Sequence, residues 1–476
     1  MMQKTLTNYR LKALCGCLLC LSLMCSIKAQ NLRTAYFMKD APYRMKSNPS
    51  LMPDRGYLYV PFVGSIYASA SSSSLGFNDM IDLFSDKKFY NNESLMSRLS
   101  DRNKINVEQS TDLFAMGWYK GDNFWSINVG VRTDIGGEVS KSVFDFLRET
   151  DSETIDWSGK QYDLVGNNWD INSYAEVGLG YARAINEKLS VGAKFKVLLG
   201  AGNMKFRTNR IYISTHLPQD PNHILPEELA SYHAQIKVDA QLEGSFKGWT
   251  LDENNQDPNN TYIDDVSFKG YGIAGVGGAV DLGVSYKPFR NVTLSASVLD
   301  LGFINWDKNS SVFAQAKEDI DYKGSDYPLT AEGLAQFSAD ASNFLDRVDH
   351  GDLLNLDLLR LSENEKRKRT TSLSSTVVLG AEYACFNDRL SFGALSTTRF
   401  LKPKTWSEVT LSTNFRPKKW FNLSLSYSLI QSHAQSFGVA MKLGPVLVGS
   451  DYVMLSNNSK SVNAFLGFFI PIGRTR

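Results

Sequence analysis

Hydrophobic and polar residues alternate one by one through much of this chain. Between Trp420 and Ile430, Leu423, Leu425, Tyr427 and Leu429 alternate with Ser424, Ser426 and Ser428. Val409, Leu411 and Phe415 alternate in the same way with Glu408, Thr410, Ser412 and Asn414, and Phe437, Val439, Met441 and Leu443 with Ser436, Gly438, Ala440 and Lys442. Successive side chains of a strand point to opposite faces, so each segment predicts a strand with one apolar and one small or polar face. A secreted β-sandwich would also alternate, but its polar face meets water and carries many long charged side chains. Here that face is mostly Ser, Thr, Gly and Asn with isolated charges, which suits the crowded interior of an all-β, transmembrane antiparallel barrel.

The first residues point to export. Lys4, Arg10 and Lys12 precede an apolar run from Leu11 to Ile27, followed by Lys28, Ala29 and Gln30. A basic start, a short apolar stretch and a small residue at the cut form a secretory signal, here residues 1–29. Lipidation is the competing reading, but Met24 before Cys25 is too large for it and Cys17 leaves almost no apolar run before it. Cleavage would remove four cysteines and leave Cys385 alone, so neither an internal disulfide nor a cysteine-bound metal is expected. It also removes Lys4, Arg10, Lys12 and Lys28 and no acid, turning 51 basic against 50 acidic residues into 47 against 50. That balance gives no reason to expect a nucleic-acid partner. Past the signal there is no apolar stretch of the roughly 18 residues a membrane helix needs, which leaves a closed barrel as the way to cross a bilayer.

Loop lengths set the topology. Tight connections fall at Lys120–Asp122, Ile185–Glu187, Pro288–Arg290, Phe386–Asp388, Pro417–Lys419 and Gly444–Pro445, and longer, more polar ones alternate with them. Strands read between these points number 14, at approximately 57–69, 108–120, 122–134, 171–184, 188–200, 271–287, 291–304, 371–385, 389–400, 405–416, 420–431, 433–444, 446–455 and 460–472. Placing Phe206–Thr215 and Tyr232–Phe246 in the wall would make the count 16. Otherwise they belong to an outer extension over 201–270. A second extension, 305–370, carries Leu334, Phe337, Ala341, Phe344, Leu345 and Val348 at helical spacing, with Leu353, Leu354, Leu358 and Leu361 beyond. That helix either packs on the barrel's own rim or docks a ligand or protein partner. Lys366 to Arg369 read as a solvated loop end, or as a contact for lipopolysaccharide phosphates.

With apolar faces outward, the charged residues pointing inward are Arg132, Glu176, Lys194, Lys196, Asp281, Glu382, Glu408, Lys442 and Asp451. An isolated buried charge is very costly, so these should pair and brace a narrow bore. Glu176 and Lys194, flanking the Ile185–Glu187 turn, form the most specific expected pair. Holding the barrel in shape is a simpler role for them than relaying a transported species. Trp118, Tyr119, Trp125, Tyr181, Tyr286, Trp306, Trp406, Trp420 and Tyr452 lie near strand ends, as interfacial aromatic girdles would.

No catalytic constellation emerges, and an enzyme is not expected. His216, His223, His233, His350 and His433 fall in loops or at strand ends, and there is no Gly-x-Ser-x-Gly elbow. The glycines at 272, 275, 277 and 278 run into a strand, not a phosphate-binding helix. Asp252–Asn260 lacks the glycine of a calcium loop. No cofactor or metal is therefore assigned.

The stretch before the first strand departs from the alternating pattern. Tyr36, Phe37 and Met38 lead to Pro42, Tyr43 and Arg44, then to Asn48, Pro49 and Ser50, and to Pro53, Asp54, Arg55, Gly56 and Tyr57. Over roughly Ala35–Ser69 this resembles the mature start of an uncharacterised Bacteroidota outer-membrane family similar to the FadL/PorV group, in which an Asn-Pro-Ala motif precedes the first strand. Ser50 stands here at the third motif position. The resemblance implies a 14-stranded barrel over 57–476 and an N-terminal hatch over 30–56. It further implies passive uptake of small hydrophobic molecules across the bacterial outer membrane, among its lipid and lipopolysaccharide. PorV-like relatives imply instead a barrel that docks a protein in secretion or surface assembly.

Overall fold

The alternation of β-propensity residues has a direct spatial counterpart in the strand at Phe421–Ile430. Leu425 and Leu429 stand about half exposed on the outside, while Ser424 and Ser428, each just before one of them, are fully buried. The computed structural model describes residues 32–39, 41–60, 64–85, 89–150, 157–218, 224–254, 262–268, 270, 272–348, 359–363, 366–400, 405–430, 436–453 and 459–473. Residues 1–31, on which the expected export signal falls, and His223, His350, His433, Leu353, Leu354, Leu358 and residues 255–260 lie outside that set.

In chain order the strands begin with β1 (Gly56–Tyr59), β2 (Ser65–Ser72), β3 (Arg102–Lys120), β4 (Asn123–Ser140), β5 (Lys160–Ala184), β6 (Leu189–His216) and β7 (His233–Phe246). They continue with β8 (Trp249–Asn254), β9 (Tyr262–Phe268), β10 (Gly275–Phe289), β11 (Val292–Trp306), β12 (Ser311–Lys323), β13 (Ser362–Glu363) and β14 (Arg369–Ser372). The last are β15 (Thr376–Cys385), β16 (Leu390–Arg399), β17 (Trp406–Lys418), β18 (Phe421–Ile430), β19 (Ser436–Leu443), β20 (Val446–Ser450) and β21 (Ser461–Ile472).

The ring closes because β1 and β2 share one wall position and each pairs antiparallel with both β21 and β3. From β3 to β6 each strand pairs with the next. β6 pairs with β10, β10 with β11, β11 with both β14 and β15, and β15 to β21 follow in sequence. That makes a closed antiparallel barrel of 14 wall positions, not 16. The tight turns gather at one end, and Gly121 and Gly444, with φ of 59° and 56°, take the left-handed conformations those turns need.

β6 explains why the count is 14. Its first half, Leu189–Gly200, pairs with β10, while Gly202–His216 runs on beyond the wall and pairs with β7. Phe206–Thr215 therefore continues a wall strand into the outer extension, where β7 pairs in turn with β12. The extension has its own apolar core. Helices α1 (Phe77–Ser85), α2 (Glu93–Arg98), α3 (Lys141–Thr150) and α4 (Ala331–Val348) cover one face of its sheet. Phe337, Ala341, Phe344 and Val348 of α4 are buried as their spacing predicts, and Phe144, Leu147, Ile213, Ile236 and Ala314 join them. The helices in 70–107 and 135–170 were not anticipated from the sequence. No described helix is long and apolar enough to cross a membrane.

The outside of the wall forms an apolar belt that includes Leu179, Phe195, Leu282, Leu379, Phe392, Leu411, Val439, Leu466 and Ile470, all exposed. Trp420 and Tyr286 stand outward near the turn end, but Trp306 and Tyr452 are buried, 2% and 3% exposed, and face inward instead of joining a girdle. The Trp306 indole donates to Thr371 Oγ1 at 2.8 Å. In a bilayer, Leu411→Arg in the middle of the belt is expected to destabilise the folded barrel by about 2–4 kcal/mol and Phe415→Arg, nearer the turns, by roughly 1 kcal/mol or less. Equilibrium unfolding in lipid vesicles measures both; equal costs at the two depths would contradict this placement of the belt.

Candidate functional site

Two groups of residues fill the bore: the N-terminal segment 32–53, and the charges that the wall turns inward. Proline at 42, 49 and 53 denies the segment a strand ladder, and it runs as short turns with one 3-10 helix at Pro42–Lys46. It is nevertheless almost wholly buried. Arg33 Nη1 donates to the Tyr452 hydroxyl at 2.8 Å and lies 3.7 Å from Asp451, while Nε lies 3.5 Å from Glu408. Asp451 also accepts from the Thr34 backbone N–H and hydroxyl, both at 2.7 Å. Lys46 Nζ reaches Asp112 at 2.6 Å, and the Tyr119 hydroxyl donates to the Pro53 carbonyl at 2.6 Å. Tyr43 stacks on Tyr59 with ring centres 5.0 Å apart and meets the Phe465 ring edge-on at 4.8 Å. At the turn end Lys39 binds Asp388 at 2.9 Å. Partial burial there disfavours the Asp388 carboxylate, but bonding to Lys39 outweighs it and holds the group below the usual carboxylate range.

Asn48, Pro49 and Ser50 form a close contact between segment and wall. Asn48 Oδ1 accepts from the Ser50 backbone N–H at 3.0 Å and its hydroxyl at 2.7 Å, which closes a turn on itself. Asn48 Nδ2 donates outward to the carbonyls of Ala296 at 3.1 Å and Val284 at 3.3 Å. Ser297 Oγ donates to the Ser47 carbonyl at 2.5 Å. This approach exists because Gly192 and Gly283, directly opposite each other in β6 and β10, carry no side chain. A Cβ on Gly192 would sit 2.5 Å from the Pro49 carbonyl carbon, and one on Gly283 would strike Asn48 Oδ1. Gly393 and Gly467 leave similar room for Phe37 and Tyr43.

The sequence-selected charges separate into several clusters. Arg132 grips Glu176 through Nε at 2.7 Å and Nη2 at 2.8 Å, and Asn128 donates to the same carboxylate at 2.7 Å. Lys194 lies farther from Glu176, at 3.6 Å, so Arg132 and not Lys194 is its main partner. Lys196 bridges Asp281 at 2.7 Å and Asp300 at 2.6 Å. Glu382 pairs with Arg416 at 3.2 Å, Glu408 and Asp451 meet Arg33, and Lys442 donates to the Lys419 carbonyl at 2.8 Å. All nine side chains are buried or half-buried, and the acids at 382, 408 and 451 take partners outside these nine.

Several partners were not anticipated, for different reasons. Asp300 sits at a β-bulge, where Val280 pairs with Leu301 but Leu282 with Val298, and its φ of 56° turns the side chain inward out of register. Arg399, which binds Glu108 and, at 2.9 Å, Asp134, shares the inward parity of Ser391 and Thr397, so the alternation alone reaches it. Arg33 and Lys46 belong to a segment without periodicity. Arg369, expected as a solvated loop end, is instead buried, donating to Ser245 Oγ and Asn203 Oδ1, both at 2.9 Å, where the extension joins the wall. Among the described residues no group of His, Cys, Asp and Glu has metal-binding geometry.

The sequence profile of a family of unknown function, DUF5723, matches residues 49–451. The chain belongs to the DUF5723 family. No curated protein matches this DUF5723 chain. Among solved structures it is similar to a TodX deltaS2S3 mutant monoaromatic hydrocarbon channel (9% identity, 91% of this chain and 95% of that chain covered, TM-score 0.42). Others are the Pseudomonas putida toluene transporter TodX (10% identity, 93% of each chain, TM-score 0.37) and a Pseudomonas aeruginosa FadL homologue (8% identity, 90% and 93% covered, TM-score 0.39). The barrel assignment for the DUF5723 chain rests on its own strand pairings.

Breaking a buried ion pair leaves an uncompensated charge in a low-dielectric interior. Arg132→Met is therefore expected to destabilise the barrel by about 3–5 kcal/mol, and Arg132→Met with Glu176→Leu by much less. Denaturant titration of the two variants measures this, and equal losses would remove the pair from its bracing role.

Proposed function

We propose that this chain is a non-catalytic outer-membrane channel for passive uptake of small hydrophobic molecules, in which residues 30–56 are a hatch behind a cleaved export signal and 57–476 form the barrel. The observation that carries the reading is the wall at Gly192 and Gly283. On its outer side lies an apolar groove of about 500 Å³, lined by Tyr181, Ala193, Leu282, Val284, Val298 and Leu379. On its inner side the wall is backed directly by Asn48 and Pro49. An apolar molecule in the bilayer would thus meet the hatch where the wall is thinnest. The contacts holding Asn48 are hydrogen bonds, each worth roughly 1 kcal/mol net, so the hatch can shift at Asn48 and Pro49 while Arg33 and Lys46 keep it anchored elsewhere.

A barrel that docks a protein partner is the second reading. It is supported by the outer end, where the extension packs a core of its own over 70–107, 135–170, 201–270 and 305–370. That arrangement offers a rigid outward surface and no evident need for a passage.

Uptake of a hydrophobic fluorescent probe by intact Gram-negative cells expressing the chain distinguishes the two. Gly283→Val, which drives a side chain into Asn48 and Pro49, and deletion of 31–53 are both expected to leave a folded barrel and to raise influx several-fold. Unchanged influx in both folded variants, with a stoichiometric protein retained by the gently purified barrel, would overturn the channel reading in favour of docking.

A further inference from the structure

At the turn end of the barrel the wall has a notch. The last pair of β19 and β20 is Leu443 with Val446, and the Gly444–Pro445 turn ends the wall there. β21 runs on past its last strand pair with β20 at Phe468: the Phe469 N–H still donates to the Pro445 carbonyl at 2.9 Å, and Ile470–Ile472 pair with β1 alone. A cavity of about 430 Å³ opens over this low rim, within the roughly 300–1,000 Å³ of small-molecule sites. Its outer wall is Trp420, Phe468 and Ile470, which belong to the apolar belt; its inner wall is Pro42, Tyr57 and Phe469.

The charges at the cavity are unequal. Arg55 and Lys419 stand exposed at its mouth, and Lys442, only 4% exposed, lies deeper, 5.9 Å from the centre of the Phe469 ring. Among the described residues Asp54 is the one carboxylate lining it, 3.4 Å from Lys419 in an exposed pair that contributes little. Trp420, 55% exposed, has the amphipathic ring that settles at a membrane–water boundary. An apolar slot continuous with the belt, with cations at its mouth at that depth, matches one chemistry: an acyl chain tethered to an anionic head held at the interface.

We propose that this notch binds one anionic phospholipid of the facing membrane leaflet, with an acyl chain in the cavity and its phosphate at Arg55 and Lys419. Short turns mark the periplasmic end of such barrels, so the leaflet is the inner one. The inference rests on the membrane-spanning reading above and is independent of whether the barrel conducts anything. The bound lipid seals the rim between wall and N-terminal segment.

The test uses the whole mature chain in phosphatidylcholine nanodiscs containing increasing fractions of brominated phosphatidylglycerol, whose bromines quench nearby tryptophan. The difference between wild type and Trp420→Phe isolates the Trp420 signal. Its quenching is expected to saturate at a few mole per cent, and Arg55→Gln with Lys419→Gln, both at exposed sites, to shift the midpoint about tenfold higher. Brominated phosphatidylcholine should quench only in proportion to its fraction. Proportional quenching by both lipids, an unshifted midpoint in the double variant, or saturation by brominated free fatty acid in place of the phospholipid would each overturn the proposal. A chain that fails to insert with β structure would instead overturn the membrane reading beneath it.

Discussion

Backbone hydrogen bonding is the constraint on which everything else here depends. In hydrocarbon no water is present to satisfy an N–H or C=O, so a sheet can lie there only with no free edge. This chain meets that condition by giving one wall position to two short strands, β1 and β2, which together join β21 to β3. Once the ring is closed, the pleat determines what every second residue faces. The same alternation that builds the belt of Leu411, Val439 and Ile470 sends Ser412, Ala440 and Phe469 inward.

Closure at 14 positions creates a second problem, because a cylinder of that size is too wide for its own side chains to fill as in an eight-stranded barrel. The chain answers with its own N-terminal segment and with charged bridges. The segment lies against the wall where the wall gives way, at Gly192, Gly283, Gly393 and Gly467. The bridges work by mutual neutralisation: Arg132 with Glu176, Lys196 with Asp281 and Asp300, Arg399 with Glu108 and Asp134. Arg33 links the two systems, since it comes from the segment and its partners Glu408 and Asp451 from the wall. Beyond the ring, the continuation of β5 and β6 gives the extension a sheet on which to build a separate dry core.

Much of this was legible in the sequence because period two is a local signal. The tight turns, the strand order, the inward parity of Glu176 or Lys442 and the buried face of α4 all follow from residues within one element. What escaped reading depended on contacts distant in sequence or on local breaks in the rule. Asp300 faces the bore through a bulge; Phe465 and Phe469 are apolar on the inward side of β21 because they clasp Tyr43, more than four hundred residues earlier. Trp306 and Tyr452 have the composition of girdle residues and the surroundings of bore residues. α1 and α3 are short, and their apolar positions make sense only against strands from other loops.

The most direct test of the central account is accessibility along β18 in a lipid bilayer. With Cys385 replaced by Ser, single cysteines from 422 to 429 would carry spin labels whose relaxation by dissolved oxygen and by a water-soluble nickel chelate is measured. The account predicts that 423, 425, 427 and 429 respond to oxygen, and that 424, 426 and 428 respond to neither reagent, since lipid surrounds the wall and the bore is filled. Loss of the two-residue period, or strong nickel relaxation at the even positions, would contradict it.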